Sequence, residues 1–229
     1  MAQASKQIFH SESVDDYLKA ILDLSGSDDS QVPSKALAER LHVAPASITN
    51  MLQKLAAAPL PFVLYEKHRG VRLSSSGRRR ALEIVRHHRL IETFLYRILD
   101  YPLEEVHAEA ERLEHFISER FEERIAAKLG NPGFDPHGHL IPALNGEMPA
   151  ETHTRLSDVN KKGTFLIASV ADRDAALLRQ LNAKGIKPGV RIRLKENPTG
   201  GSYRVDIANG AKNITLSKAS ASQILIVPA

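Results

Sequence analysis

The sequence predicts a mainly α chain with α+β character: an N-terminal winged helix-turn-helix, a helical middle domain and a small C-terminal β-barrel. Three observations predict it. Apolar residues recur at helical spacing through the first 130 residues. A β-prone hairpin with a cationic tip follows two short helices joined by a tight turn. From about residue 151 the pattern changes to short β-prone runs. These changes imply boundaries at 1–80, 81–149 and 150–229.

Ser13 with Asp15 and Asp16 reads as a capped, acidic helix start, and Tyr17, Leu18, Ile21 and Leu22 form its apolar face. Ser34 opens a short helix carrying Leu37, Ala38 and Leu41. His42-Val43-Ala44 is a turn, and Pro45 suits the first position of the next helix, which buries Ile48, Met51, Leu52 and Leu55. Two short helices around such a turn are the helix-turn-helix signature. Phe62–Glu66 and Val71–Leu73 then form a hairpin through Lys67-His68-Arg69-Gly70, which makes the unit a winged helix. A long helix over 78–99 stops at Tyr101-Pro102, and a 28-residue acidic helix is expected over 103–130, closed by Gly130. A proline- and glycine-rich stretch to Pro149 reads as loop and linker. Five short strands follow, at 164–170, 190–195, 203–207, 213–216 and 224–227, interrupted by one helix within 168–186. That pattern implies a small barrel.

Composition narrows the function classes. The chain has 229 residues and no cysteine, so any metal must be held by nitrogen and oxygen. No apolar run approaches the roughly 18–20 residues that span a bilayer, and no secretory signal is legible, so the expected compartment is the cytoplasm, with no membrane partner. Charge is segmented. Residues 1–80 carry 11 Lys/Arg against 8 Asp/Glu, 81–150 carry 7 against 13, and 151–229 carry 13 against 6. A basic N-terminal part suits a polyanion, and an acidic middle suits cations or simply solvated helices.

The second short helix presents Ala46, Ser47, Thr49, Asn50 and Gln53 on its polar side. Small and amide side chains in its early turns suit base edges in a major groove, so double-stranded DNA is the expected partner. Lys54, Lys67, Arg69, Arg72 and Arg78–Arg80 suit phosphates.

In the acidic helix, His107, Glu111, Glu114 and His115 fall on neighbouring positions of one stripe, and His88 with Glu92 forms an i,i+4 pair on the preceding helix. Mixed imidazole and carboxylate donors converging from two helices suit Mn²⁺, Fe²⁺, Co²⁺, Ni²⁺ or Zn²⁺. Such a helix also collects His and Glu by chance, and Glu104, Glu105, Glu109, Glu119, Glu122 and Glu123 read as a solvated face. His87, His137 and His139 receive no role from spacing. An enzymatic di-metal site is disfavoured because no duplicated Glu-x-x-His motif occurs.

The stretches VAPASITNMLQKL, LYEKHRGVRLSSSGRRRA, HHRLIETFL, VHAEAERLEHFIS and DPHGHLIP together resemble the diphtheria toxin repressor family of metal-dependent regulators, especially its manganese transport regulator branch. The C-terminal LSDVNKKGTFLIASV and LLRQLNAKGIKPGVRIRL resemble the SH3-like domain shared with the ferrous-iron transport protein A family. The resemblance implies a helical metal-binding and dimerisation domain between the winged helix-turn-helix and the SH3-like barrel. It implies a primary metal site of Asp16, Glu111, Glu114 and His115, and an ancillary site of His88, Glu92 and His107. Asp172 or Asp174 is a further candidate donor from the SH3-like domain. Carboxylates at 16 and 111, where iron-type members place methionine and cysteine, imply Mn²⁺, with Fe²⁺ as the alternative cofactor. The manganese branch uses a further carboxylate three residues after the aspartate, where this chain has Lys19, and a charged lysine cannot ligate.

The resulting expectation is a non-enzymatic homodimer that binds a palindromic operator when metal is held and represses metal-uptake genes, the dimer face drawing on Phe94, Leu95, Ile98 and Leu99. A metal joining Asp16 on the first helix to the acidic helix would fix the DNA-binding part. The alternative is a metal-independent winged-helix regulator whose C-terminal barrel binds a peptide or small-molecule effector.

Overall fold

A computed structural model describes residues 11–26, 29–148, 153–195, 201–208 and 210–229. The proline-rich boundary at Pro149 lies outside them. The chain divides into two compact units, one of Met1–His87, Glu114–Ile117 and Pro142–Met148, the other of His88–Leu113, Ser118–Ile141 and Pro149–Ala229.

In the first unit, α1 (Glu12–Ser25) starts earlier than the sequence suggested: Ser11, not Ser13, is the cap, its hydroxyl accepting the Val14 N–H. Helices α2 (Ser34–Leu41) and α3 (Pro45–Ala56) form the helix-turn-helix. Pro33 occupies the cap position of α2 and Ser34 lies inside the helix. His42 takes a left-handed conformation (φ 54°), and the Val43 N–H closes onto the Ala38 carbonyl at 3.2 Å. Strands β1 (Val63–Glu66) and β2 (Gly70–Leu73) pair antiparallel as the wing, and Val32 bridges Val71 on the far side of β2. Gly70 is required there. Its φ is +113°, and a Cβ would lie 2.4 Å from the Val32 carbonyl oxygen. Val14, Leu18 and Ile21 of α1, Leu37 of α2, Ile48, Leu52 and Leu55 of α3 and Val63 and Val71 of the wing share one core, with Met51 only partly buried against it. α1 and the DNA-reading candidate helix therefore move as one body.

Helix α4 (Ser75–Ile98) runs from the first unit into the second, the division falling between His87 and His88. The expected 28-residue acidic helix is two helices, α5 (Val106–Leu113) and α6 (Glu119–Lys128). Ser118 is extended and caps α6 through the Phe121 N–H, a geometry no helix interior tolerates. The Glu114 carbonyl, freed from the helical ladder, accepts instead from His87 Nδ1 at 3.2 Å. In the second unit Leu90, Ile125, Ala126 and Ile141 form a small core, with Phe94 packed on it. Leu95 is buried as well, so of the four apolar residues proposed for a dimer face only Ile98 and Leu99 are exposed, joined by Tyr96.

The C-terminal segment is a six-stranded antiparallel sheet in the order β3-β8-β4-β5-β6-β7. Its strands are β3 (Thr154–Arg155), β4 (Gly163–Val170), β5 (Arg191–Leu194), β6 (Ser202–Ile207), β7 (Ile214–Ser217) and β8 (Ile224–Pro228). Five were expected. β3, the sixth, is two residues long and carries no alternation to read. α7 (Ala175–Ala183) is capped by Asp174 and starts later than the sequence suggested, because 168–170 continue β4. One core, including Leu156, Ile167, Leu178, Val205 and Ile226, fills the segment.

Candidate metal centres and nucleic-acid face

In the first unit, α1 and the turn after α5 bring Asp16, Glu114 and His115 together. His115 Nε2 lies 3.2 Å from Asp16 Oδ1 and 3.5 Å from Glu114 Oε1. The three offer ligand atoms mutually within 4.8 Å. Glu114 is fully buried, and Lys19 Nζ donates to both its oxygens at 2.9 Å. Asp15 lies behind them, 3.5 Å from His115 Nδ1 and hydrogen-bonded twice to Arg80 at 2.8 Å. Burial alone would lower the His115 pKa; the adjacent Asp15 and Asp16 carboxylates and the Glu114 charge outweigh it and raise it to about 10. Burial likewise opposes ionisation of Asp15, yet His115 and Arg80 hold it below its ordinary value. The single-stripe reading of 107, 111, 114 and 115 is corrected here: the helix ends at Leu113, so Glu114 and His115 stand on a turn. Glu111 is on α5 in the second unit, 3.8 Å from His107 Nε2.

In the second unit, α4 supplies His88 and Glu92, and α5 supplies His107. His88 Nε2 lies 3.0 Å from both Glu92 Oε1 and His107 Nδ1, and His107 Nδ1 is 3.2 Å from Glu92 Oε1. Spacing had assigned nothing to His137 and His139, yet both stand here. Asp135 Oδ1 accepts the backbone N–H groups of His137 (2.8 Å) and His139 (2.9 Å), folding the loop into a tight turn. His137 Nε2 donates to the Leu103 carbonyl at 3.1 Å. That fixes Nδ1 as the lone-pair nitrogen of the neutral ring, 3.6 Å from Glu92 Oε1. Asp172, just after β4, reaches His139 (3.5 Å) and His107 (3.8 Å), whereas Asp174 is occupied capping α7.

Burial opposes charge on Glu92, but His88, His107 and His137 around it hold its pKa well below the usual range. Burial likewise opposes charge on His137, and Glu92 outweighs it, raising the pKa to about 9. Two fully buried polar atoms in this cluster, Glu92 Oε2 and His137 Nδ1, make no hydrogen bond. Native interiors rarely leave such atoms unmatched unless an ion or water fills the place.

The nucleic-acid candidates are on the first unit. On α3, Ala46, Ser47, Asn50, Gln53 and Lys54 are exposed; Thr49 is half-buried and its hydroxyl donates back to the Pro45 carbonyl at 3.2 Å. Lys67 and Arg69 are exposed at the wing tip, where Arg69 pairs with Glu66 at 3.0 Å. Arg80 is not a phosphate candidate: it is turned inward onto Asp15 and Glu83.

Three family models match in succession. Residues 10–71 match the iron-dependent repressor N-terminal DNA-binding domain, 74–143 its metal-binding and dimerisation domain, and 154–228 the FeoA domain. The iron-dependent repressor IdeR of Mycobacterium tuberculosis is 31% identical over 213 residues, covering 87% of this chain and 90% of its own. The chain belongs to the iron-dependent repressor family.

As a member, it is a metal-dependent DNA-binding transcriptional regulator and not an enzyme. Its fold is similar to that of a manganese-dependent transcriptional repressor solved with manganese (TM-score 0.85, 38% identity, 94% of this chain and 99% of that one). It is also similar to that of ScaR with bound zinc (TM-score 0.78, 33% identity, covering 94% and 99%). MntR of Bacillus subtilis is 34% identical over 113 residues, 49% of this chain and 77% of its own. The helix-turn-helix and the wing up to Val71 lie in the stretch matched to DNA binding. Both histidine–carboxylate clusters draw on the stretch matched to metal binding, with Asp16 added from α1 and Asp172 from the FeoA domain. Among the described residues no helix is long and apolar enough to cross a membrane.

Proposed function

We propose that the chain is a manganese-responsive repressor of metal-uptake genes, acting in the cytoplasm as a homodimer on a palindromic operator. The convergence of Asp16, Glu114 and His115 carries this reading, because two carboxylates and one imidazole, in a chain without cysteine, form a hard donor set suited to Mn²⁺. Fe²⁺ is the second reading, favoured by the identity to iron-dependent repressors.

The residues fit a metal. Buried Glu92 Oε2 and His137 Nδ1 have no hydrogen-bond partner, the latter able to ligate once its proton is released to an incoming ion, and His115 is held among three carboxylates. Asp16, Glu114 and His115 would hold one ion, and the family resemblance names Glu111 as a further donor. Glu92, His137 and Asp172, with His88 and His107 beside them, would hold the other. A bound ion supplies positive charge that these carboxylates can share. The protein's part is positional. Asp16 belongs to α1, whose apolar face is continuous with that of α3, so restraining Asp16 restrains the helix that presents Ser47, Asn50 and Gln53. Without the ion that link to Asp16 is lost, and the DNA-competent arrangement is less populated. By linkage, DNA tightens metal binding to the same degree.

The test is anisotropy titration of a DNA fragment selected from a random pool with Mn²⁺ present. Wild type, Asp16→Ala and Glu111→Ala are compared with Mn²⁺, Fe²⁺ or chelator. Tight binding by wild type with Mn²⁺ alone, and a two-fold symmetric selected sequence, are expected. Equal affinity under every condition would overturn the reading.

A further inference from the structure

Lys19 stands in the position of a cation. Its Nζ is 2.9 Å from each oxygen of Glu114, so it lies on the carboxylate bisector, where a doubly coordinated ion would sit. Neither side chain is loosely held: Glu114 is wholly buried and Lys19 is 13% exposed. Asp16 and Lys19 are three residues apart on α1 and so share a face, and Glu114 Oε1 faces both Lys19 and His115 Nε2. Any ion joining Asp16, His115 and Glu114 must approach that oxygen, to within about 2.0–2.2 Å for a transition metal. It would meet the ammonium there.

We propose that Lys19 is a tethered competitor for the metal, holding Glu114 in the metal-free protein and setting the concentration at which an ion displaces it. The inference rests on the reading of Asp16, Glu114 and His115 as a metal centre. Its physical content is a difference between two cations at one carboxylate. The ammonium is always present at high effective concentration because the helix carries it, so a free ion binds only by the margin through which it outcompetes Nζ. Lys19 must give up at least one Glu114 oxygen for an ion to bind, and both for that carboxylate to chelate. Removing the ammonium therefore lowers the threshold. Replacing it with guanidinium, whose planar fork grips both oxygens, raises it.

The experiment is Mn²⁺ calorimetry on the full chain carrying Glu92→Gln, which disables the second-unit cluster, with residue 19 as Lys, Met or Arg. Relative to Lys, Lys19→Met is expected to bind Mn²⁺ at least about tenfold more tightly, because a like charge is removed from beside the ion, and Lys19→Arg about tenfold more weakly, because the guanidinium fork holds both Glu114 oxygens. Lys19→Met leaves Glu114 buried beside one charge fewer and could fail to fold, which its melting curve without metal would reveal. Lys19→Arg keeps the ion pair and then carries the test. If Lys19→Arg binds as tightly as wild type or more so, or folded Lys19→Met binds no more tightly, the competitor role is overturned while the metal centre stands. If no protein in the series binds Mn²⁺, the metal reading itself fails, and the role of Lys19 with it.

Discussion

Arg80 grips both oxygens of Asp15, with Nε and one terminal nitrogen each 2.8 Å from the carboxylate, and this pair forms the back wall of the candidate centre in the first unit. Asp15 is 3% exposed at the side chain and Arg80 17%, so neither charge has bulk water to fall back on. Arg80→Ala strands a buried carboxylate. The expected cost is about 3–5 kcal/mol of unfolding free energy, read from urea melts of the metal-free protein. Arg79→Ala, at an exposed neighbour, is expected to stay within about 0.5 kcal/mol of wild type.

On α3 and the wing the side chains divide by the kind of contact they can make. Asn50 and Gln53 carry amides that can pair with an adenine edge, so Asn50→Ala or Gln53→Ala is expected to cost about 1–3 kcal/mol on the selected site and relax base preference at one position. Lys67→Ala is expected to weaken all sequences alike and to reduce the salt slope of binding by about one. Competition binding over a range of salt, on cognate and scrambled DNA, separates the two. A Lys67→Ala effect confined to cognate DNA would contradict the assignment.

The sequence disclosed periodic and locally punctuated features well. The helix-turn-helix, wing and five of the strands follow from apolar spacing, Pro45 at a first helical position and a glycine at the hairpin, all local signals. The i,i+4 pair His88 and Glu92 was legible in the same way, and resemblance supplied Asp16. What spacing could not disclose is tertiary. The break after Leu113 arises because Ser118 caps α6 and His87 takes the Glu114 carbonyl, a contact 27 residues away in sequence. The inward turn of Arg80 depends on Asp15, 65 residues earlier. His137 and His139 lie in a loop without periodicity, and the Asp135-x-His-x-His spacing, with a carboxylate able to cap two following amides, was the one local clue.

The pH dependence of the metal-free protein has a definite sign. The His115 pKa rises from 6.5 to about 10 on folding, so the folded state binds the proton more tightly than the unfolded one. Stability from this group is fully present below pH 6.5, declines as pH rises above it, and is gone above about 10. His137, raised from 6.5 to about 9, acts in the same direction. Melting temperatures in chelator are thus expected to fall between pH 6.5 and 9, and less steeply in His115→Asn. An equally steep fall in that variant would remove His115 from the account.

Gly138 joins loop geometry to the second candidate centre. Its φ is +88°, and a Cβ there would lie 2.0 Å from the Ala168 carbonyl oxygen, backbone that cannot step aside. The close approach is held by the Val170 N–H donating to the His137 carbonyl at 3.0 Å, which ties the histidine loop to β4 a few residues before Asp172. Gly138→Ala meets both a left-handed backbone and a clash. The conformation alone costs on the order of 1–3 kcal/mol, and relieving the clash must move either the loop or the strand. Because His137 is the preceding residue, the displacement carries its Nδ1 away from Glu92. The expected result is a lowered urea midpoint, together with loss of one equivalent of Mn²⁺ in calorimetry while the Asp16 centre still binds. Gly133→Ala, where a Cβ meets nothing within 4 Å, serves as the control and is expected to keep both equivalents. A folded Gly138→Ala protein with full metal stoichiometry would separate the loop from the centre and place His137 outside it.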